Sequence, residues 1–137
     1  MQTKYILTLS DARLLMAAAV RSAELAKLEV SIAIVDDGGV LLLLERLDGA
    51  RSHTPEAATL KARTAAITRS STAPLEEQVR SNPAVLSFPG RMPLTGGMPI
   101  VHAGQVVGAV GSSGGQPDQD EAVCRAALAA AAALTVS

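Results

Sequence analysis

The amino-acid sequence predicts an α+β fold, with one antiparallel sheet and helices packed against it. Three observations carry this. The runs Val30–Asp36 (VSIAIVD) and Val40–Arg46 (VLLLLER) flank Asp37-Gly38, a strong hairpin signal. A second apolar pair, Met98–His102 and Val106–Gly111, meets across Ala103-Gly104. Helical patterns precede, separate and follow the two hairpins, which gives the order α-β-β-α-(α)-β-β-α.

The first helix is placed at Thr8–Glu29. Thr8 can cap it, and Asp11 stands three residues on, where a carboxylate favours a helix N-terminus. Leu14, Leu15, Ala18, Ala19, Ser22, Leu25 and Ala26 recur at helical spacing. The leucines of Val40–Arg46 do not alternate with polar residues, so both faces of that strand are expected to be covered. Leu47–His53 reads as a loop. Thr54 then caps a helix that runs to about Arg69, with Pro55 at its first position and Glu56 in its first turn. A shorter helix is placed at Pro74–Arg80. The Pro/Gly/Ser-rich stretch Ser81–Gly97 is long for a structureless connection, and a short strand is expected inside it. The last helix is placed at Asp118–Leu134, where Asp118 and Glu121 have capping-box spacing.

Composition narrows the functional classes. The 137 residues suit one domain spanning 1–137. Hydrophobic residues make up 48%, yet Phe88 and Tyr5 are the only aromatics besides histidine. The core must therefore be built from Leu, Val, Ile and Ala. A net charge of −1 gives no footprint for nucleic acid or an anionic membrane. The shortage of aromatics also removes the stacking platforms of single-strand binders. Cys124 stands alone, so neither an internal disulfide nor a thiolate metal site can form; it is expected in the core, and no metal site is expected. The N-terminus lacks the apolar stretch of a signal peptide. The apolar run Ala126–Val136 is shorter than the roughly 20 residues that span a bilayer. A soluble cytoplasmic protein is expected.

The stretch Gly108–Asp120 (GAVGSSGGQPDQD) has the layout of a phosphate cradle: strand, glycine loop, helix start. It lacks the Lys-Ser/Thr pair of a P-loop and does not match G-x-G-x-x-G. Asp118, Asp120 and Glu121 also crowd the helix N-terminus that a phosphate would need. The alternative is a sharp strand-to-helix exit in which Ser112, Ser113 and Gly114 face a pocket.

Several short motifs now stand in order: AIVDDGGVLLLLERLDGA (33–50), KARTAA (61–66), Thr72, LTGGMPI (94–100) and GQVVGAVGSSGGQPDQDEA (104–122). Together they resemble the GlcG/HbpS family, also called the haem-degrading or PduO C-terminal-like family, from about Leu9 to Leu134. The resemblance implies a profilin-like fold with a five-stranded antiparallel sheet flanked by helices. It also implies homo-oligomers from dimers to octamers, and a ligand pocket between subunits that in some members takes haem or iron. Many relatives carry a His after the paired glycines of the first hairpin; Val40 stands there in this chain. His53 and His102 remain as imidazoles able to ligate haem iron, with Thr54, Thr72 or Met92 as hydroxyl or thioether substitutes.

Two readings of function follow. In the first, the chain binds a small ligand, haem or a related tetrapyrrole, at a subunit interface. In the second, it is a cofactor-independent enzyme of lyase or isomerase type acting on a small carboxylated metabolite. His53 is then the proton carrier, and Lys61 and Arg91 anchor the anion, with Arg46 as another candidate. The resemblance supports Lys61 in a ligand site. Arg46, Asp48, Thr54, Thr64, Gly97, Ser112, Ser113 and Gly114 complete the candidate ligand-binding set. Whether there is catalysis stays open at this level.

Overall fold

A computed structural model describes residues 1–136. The elements in chain order are α1 (Leu9–Leu25), β1 (Ser31–Asp36), β2 (Leu41–Arg46), α2 (Thr54–Thr68), α3 (Thr72–Ser81), a 3₁₀ turn (Pro83–Ser87), β3 (Gly97–His102), β4 (Gln105–Ser113) and α4 (Pro117–Ala131). The four strands form one antiparallel sheet in the order β2-β1-β4-β3. The α+β class stands. The sheet has four strands among the described residues rather than five. No strand forms within 81–96, where a 3₁₀ turn and extended chain lie instead; Gly97 is the first residue of β3. Pro83, Pro89 and Pro93 have no N–H to donate to a ladder.

Alternation along the central strands divides the core in two. Ile32, Ile34 and Val110 face α1 and α4, where Leu15, Met16, Val123 and Ala127 meet them. Ala33, Val35 and Ala109 face α2, against Ala58, Ala62, Ala65 and Ala66. This second seam is made of small residues, so the α2 backbone lies close on the sheet. A Cβ on Gly111 would collide with the carbonyl of Ala58, and one on Gly97 with the carbonyl of Lys61.

Local chemistry accounts for the element ends. Thr8 and Asp11 form a reciprocal capping box on α1. The helix stops at Leu25, short of Glu29, because Lys27 turns left-handed at φ +56°. Its buried stripe is Ala12, Leu15, Met16, Ala19 and Ala23, and Leu14 and Leu25 are exposed. The apolar face is thus rotated from the one the leucine spacing suggested. Asp36 Oδ1 accepts from the Gly38 and Val40 N–H groups and closes the first hairpin. The β2 strand is an edge strand and Leu41 is 43% exposed, so the expected cover on both faces is incomplete in this chain. His53, not Thr54, occupies the N-cap of α2. Thr54 is fully buried; it donates to the Arg51 carbonyl at 2.7 Å and so receives the Ser31 hydroxyl at 2.8 Å. On α4 the capping box is Gln116 with Gln119 rather than Asp118 with Glu121. Ser112 and Ser113, placed in a loop by the sequence, are the last residues of β4. Cys124 is buried as expected, and burial pushes its thiol pKa up. No described helix is long and apolar enough to cross a membrane.

The close approach of α2 makes a prediction. Gly111→Ala forces a methyl into the α2 backbone and is expected to cost about 3 kcal/mol. Gly104→Ala meets no neighbour but sits at φ +77°, and should cost nearer about 1 kcal/mol. Urea unfolding of the two variants checks the order.

Candidate functional site

At the end of the sheet where β1 begins and β2 and β4 end, three connections surround a cleft of about 420 Å³. Glu29 comes from the segment before β1. Arg51 and His53 come from the β2–α2 connection, and Ser113 to Gln116 from the β4–α4 connection. Lys61 and Asp120 also line it, as buried residues reaching in from α2 and α4.

These two form an ion pair. Lys61 Nζ stands 3.3 Å from Asp120 Oδ2, with side chains 8% and 3% exposed. The ammonium also donates to the Ser112 carbonyl at 3.1 Å. The other carboxylate oxygen, Asp120 Oδ1, accepts from Gly115 N–H at 3.1 Å and from the Ser112 hydroxyl at 3.3 Å. Burial holds the Asp120 carboxyl above its usual pKa, while the Lys61 charge, the Gly115 N–H and the Ser112 hydroxyl oppose that shift. The glycine loop does cradle an anion, and the anion is the chain's own Asp120.

The structure brings some of the sequence-predicted residues together and separates others. His53, Lys61, Ser113 and Gly114 line the cleft, and Ser112 lies beneath it as a partner of the ion pair. Arg91 stacks on the Phe88 ring at 4.2 Å in the 83–96 connection and does not line the cleft. Arg46 donates twice to the Ala50 carbonyl; with Asp48 it borders a separate shallow depression. Thr64 is buried, donating to the Leu60 carbonyl and accepting from Met92 N–H, so it pins the 83–96 connection onto α2. Gly97 is held by backbone bonds to the buried Thr72 hydroxyl. Thr54 and Thr72 are fully enclosed, so neither presents a hydroxyl to an external ligand. Sequence reasoning missed Asp120 as a site residue, having counted it among the acids that repel a phosphate. It also left Glu29 out of the candidate set.

At the opposite end of the sheet lies a groove of about 600 Å³, lined mainly by apolar groups such as Ile6, Leu7, Val107 and Leu134. His102 and Lys4 border it. The His102 ring meets the Tyr5 ring edge-to-face, with centroids 4.7 Å apart.

Removing one partner of a buried pair leaves an uncompensated charge, so Lys61→Met is expected to cost about 3–5 kcal/mol near neutral pH. The pH dependence follows from the raised pKa of Asp120. A carboxyl whose folded pKa lies above the usual 3.8 contributes most below that value and loses its contribution as pH rises. Without Lys61 the pKa rises further. The deficit of Lys61→Met against wild type should therefore be small at about pH 4 and grow toward about pH 8. Urea midpoints across that range check this; a deficit independent of pH contradicts an ion pair at this place.

Comparison with known proteins agrees with the motifs. Residues 7–129 match the family described as haem degrading protein HbpS-like. The chain is 41% identical to protein GlcG of Escherichia coli (strain K12) over 114 residues, 82% of this chain and 85% of that protein. Among solved structures, Klebsiella pneumoniae protein ORFY superposes with a TM-score of 0.92 at 30% identity, covering 98% of this chain and 97% of that one. A structure described as a PduOC:heme complex superposes with a TM-score of 0.84 at 27% identity, covering 92% of this chain and 95% of that one. With its glycine-rich β4–α4 exit, its sheet and its helices all accounted for by these matches, the chain belongs to the HbpS-like family.

Proposed function

We propose that this protein binds a tetrapyrrole of the haem class, and that the apolar groove holding His102 is where it binds. The observation that carries the reading is the groove's chemistry. A haem is a flat apolar disc that needs an axial donor for its iron and a cation near its propionates. The groove offers apolar walls, the His102 imidazole beside Tyr5, and at its border Lys4, paired with Asp37 at 3.1 Å, and Asp11. The cleft at the other end of the sheet does not fit such a disc. It is smaller, and charged groups from Glu29, Arg51, Lys61 and Asp120 line it, which an apolar macrocycle would bury without partners.

Family membership and the haem-bound relative support the same ligand class. In this reading His102 would hold the iron, Tyr5 would orient the imidazole by the edge-to-face contact of the two rings, and Ile6, Leu7 and Val107 would exclude water from the disc. Bound iron would supply a redox-active, oxygen-binding centre. The groove is open along one side, and we assign that side to a second copy of the chain, in keeping with the subunit-interface pocket that the resemblance implies. Val40, where many relatives carry a His, is 62% exposed on the first hairpin and outside the groove.

Titration with haemin tests the reading. A saturable Soret shift at micromolar haemin is expected for wild type, and the same shift for His53→Ala. His102→Ala should weaken binding by about tenfold or more and change the spectrum, as loss of an axial ligand does. No Soret shift in the wild type, or an unchanged spectrum in His102→Ala, overturns the assignment.

A further inference from the structure

The polar cleft is a second site, chemically unlike the groove. Its floor can be read by counting hydrogen bonds. An ammonium has three donors, and Lys61 commits two, to Ser112 O and Asp120 Oδ2. Asp120 commits Oδ1 to two donors and Oδ2 to Lys61 alone. The floor therefore keeps one spare donor and one spare acceptor side by side, on residues fixed by burial. The rim has a different character. Arg51 takes part in no ion pair among the described residues, and the His53 ring makes no hydrogen bond among them. His53 also leaves the start of α2 without a side-chain cap. These rim groups and the Gly114 backbone face the cleft. The Glu29 carboxylate also lines the cleft, packed against Gly49 of the β2–α2 connection, and disfavours a ligand with a second negative charge.

The ligand that matches has one carboxylate and, next to it, a group that both accepts and donates a hydrogen bond. A hydroxyl does both. A keto oxygen only accepts, and an ammonium would be repelled by Lys61. We propose that this cleft binds a small monocarboxylic hydroxy acid, its carboxylate on Arg51 and His53 and its hydroxyl between Lys61 and Asp120. The volume of about 420 Å³ accommodates a molecule of a few carbons.

Three nearly isosteric probes test the proposal: lactate, propionate (no hydroxyl) and lactamide (no charge). Amide chemical shifts of Ser113 to Gln116 are followed in the intact protein. Lactate is expected to move them saturably at concentrations up to about 50 mM. Propionate and lactamide should each bind at least about tenfold more weakly, because each leaves buried or charged partners unmatched. Arg51→Gln alters an exposed side chain, so folding is not at stake, and should lose lactate binding by a similar factor. His102→Ala should bind lactate as wild type does, which separates this site from the groove. No saturable shift with lactate overturns the proposal. So does propionate binding as well as lactate, or Arg51→Gln retaining full affinity.

Discussion

The buried ion pair between Lys61 and Asp120 is the constraint on which the arrangement depends. It ties α2 to α4 across the end of β4, and its surroundings enlist the chain at Ser112 and Gly115. The same region closes further through Ser112 N–H to the Gly96 carbonyl at 2.8 Å and the Cys124 thiol to that carbonyl at 3.2 Å. Two ions removed from water are costly, and their attraction offsets this only when the remaining donors and acceptors are also met. Here most of them are. Both side chains also line the cleft, so the residues that hold three elements together also give the cleft floor its chemistry.

The small-residue seam beneath α2 makes this geometry possible. Lys61 is a long side chain on a helix whose inward face is otherwise Ala58, Ala62, Ala65 and Ala66. Were that face built of leucines, the helix axis would stand farther from the sheet and the ammonium would not reach both the Ser112 carbonyl and Asp120. Gly97 and Gly111, paired across β3 and β4, let the α2 backbone approach the sheet at the level of Lys61 and Ala58. The scarcity of aromatics in the composition is thus a consequence of how closely the layers pack. It also leaves Tyr5 and Phe88 at the surface, 38% and 52% exposed, where Tyr5 is free to meet His102.

Much of this was legible in the sequence, for reasons of range. Hairpins announce themselves through two-residue turns, and Asp36 serves its turn within four residues. The Thr8–Asp11 box is likewise local. What escaped were features decided by distant partners. Asp120 and Lys61 are separated by 59 positions, and nothing in the spacing of either points to the other. Thr54 looked like a cap because its neighbours suit a helix start, but Ser31 draws its hydroxyl into the core. Leu14 and Leu25 have the right spacing for a buried stripe, yet Ala12, Ala19 and Ala23 are the residues that pack, since contact with α4 rather than side-chain size sets the phase. The strand expected within 81–97 came from the length of that stretch, and the five-stranded count from family resemblance; the prolines of 83–93 explain why no strand forms there.

The two helix starts at the cleft show why a glycine loop alone is a poor guide to anion binding. A helix N-terminus attracts negative charge through its unpaired N–H groups and its dipole. At α4 that attraction is already satisfied from within: Gln119 takes the Gln116 N–H and Asp120 takes the Gly115 N–H. An external anion there would have to displace a carboxylate that Lys61 also holds. At α2 the N-cap residue is His53, whose side chain makes no capping bond, and Arg51 stands beside it without an acidic partner among the described residues. The glycine-rich sequence thus marks the end that is closed to anions, while the unremarkable Arg-Ser-His connection marks the end that is open. Any carboxylate entering the cleft is directed to that side by charge, and the hydrogen-bonding capacity left on Lys61 and Asp120 then selects what the carboxylate is attached to.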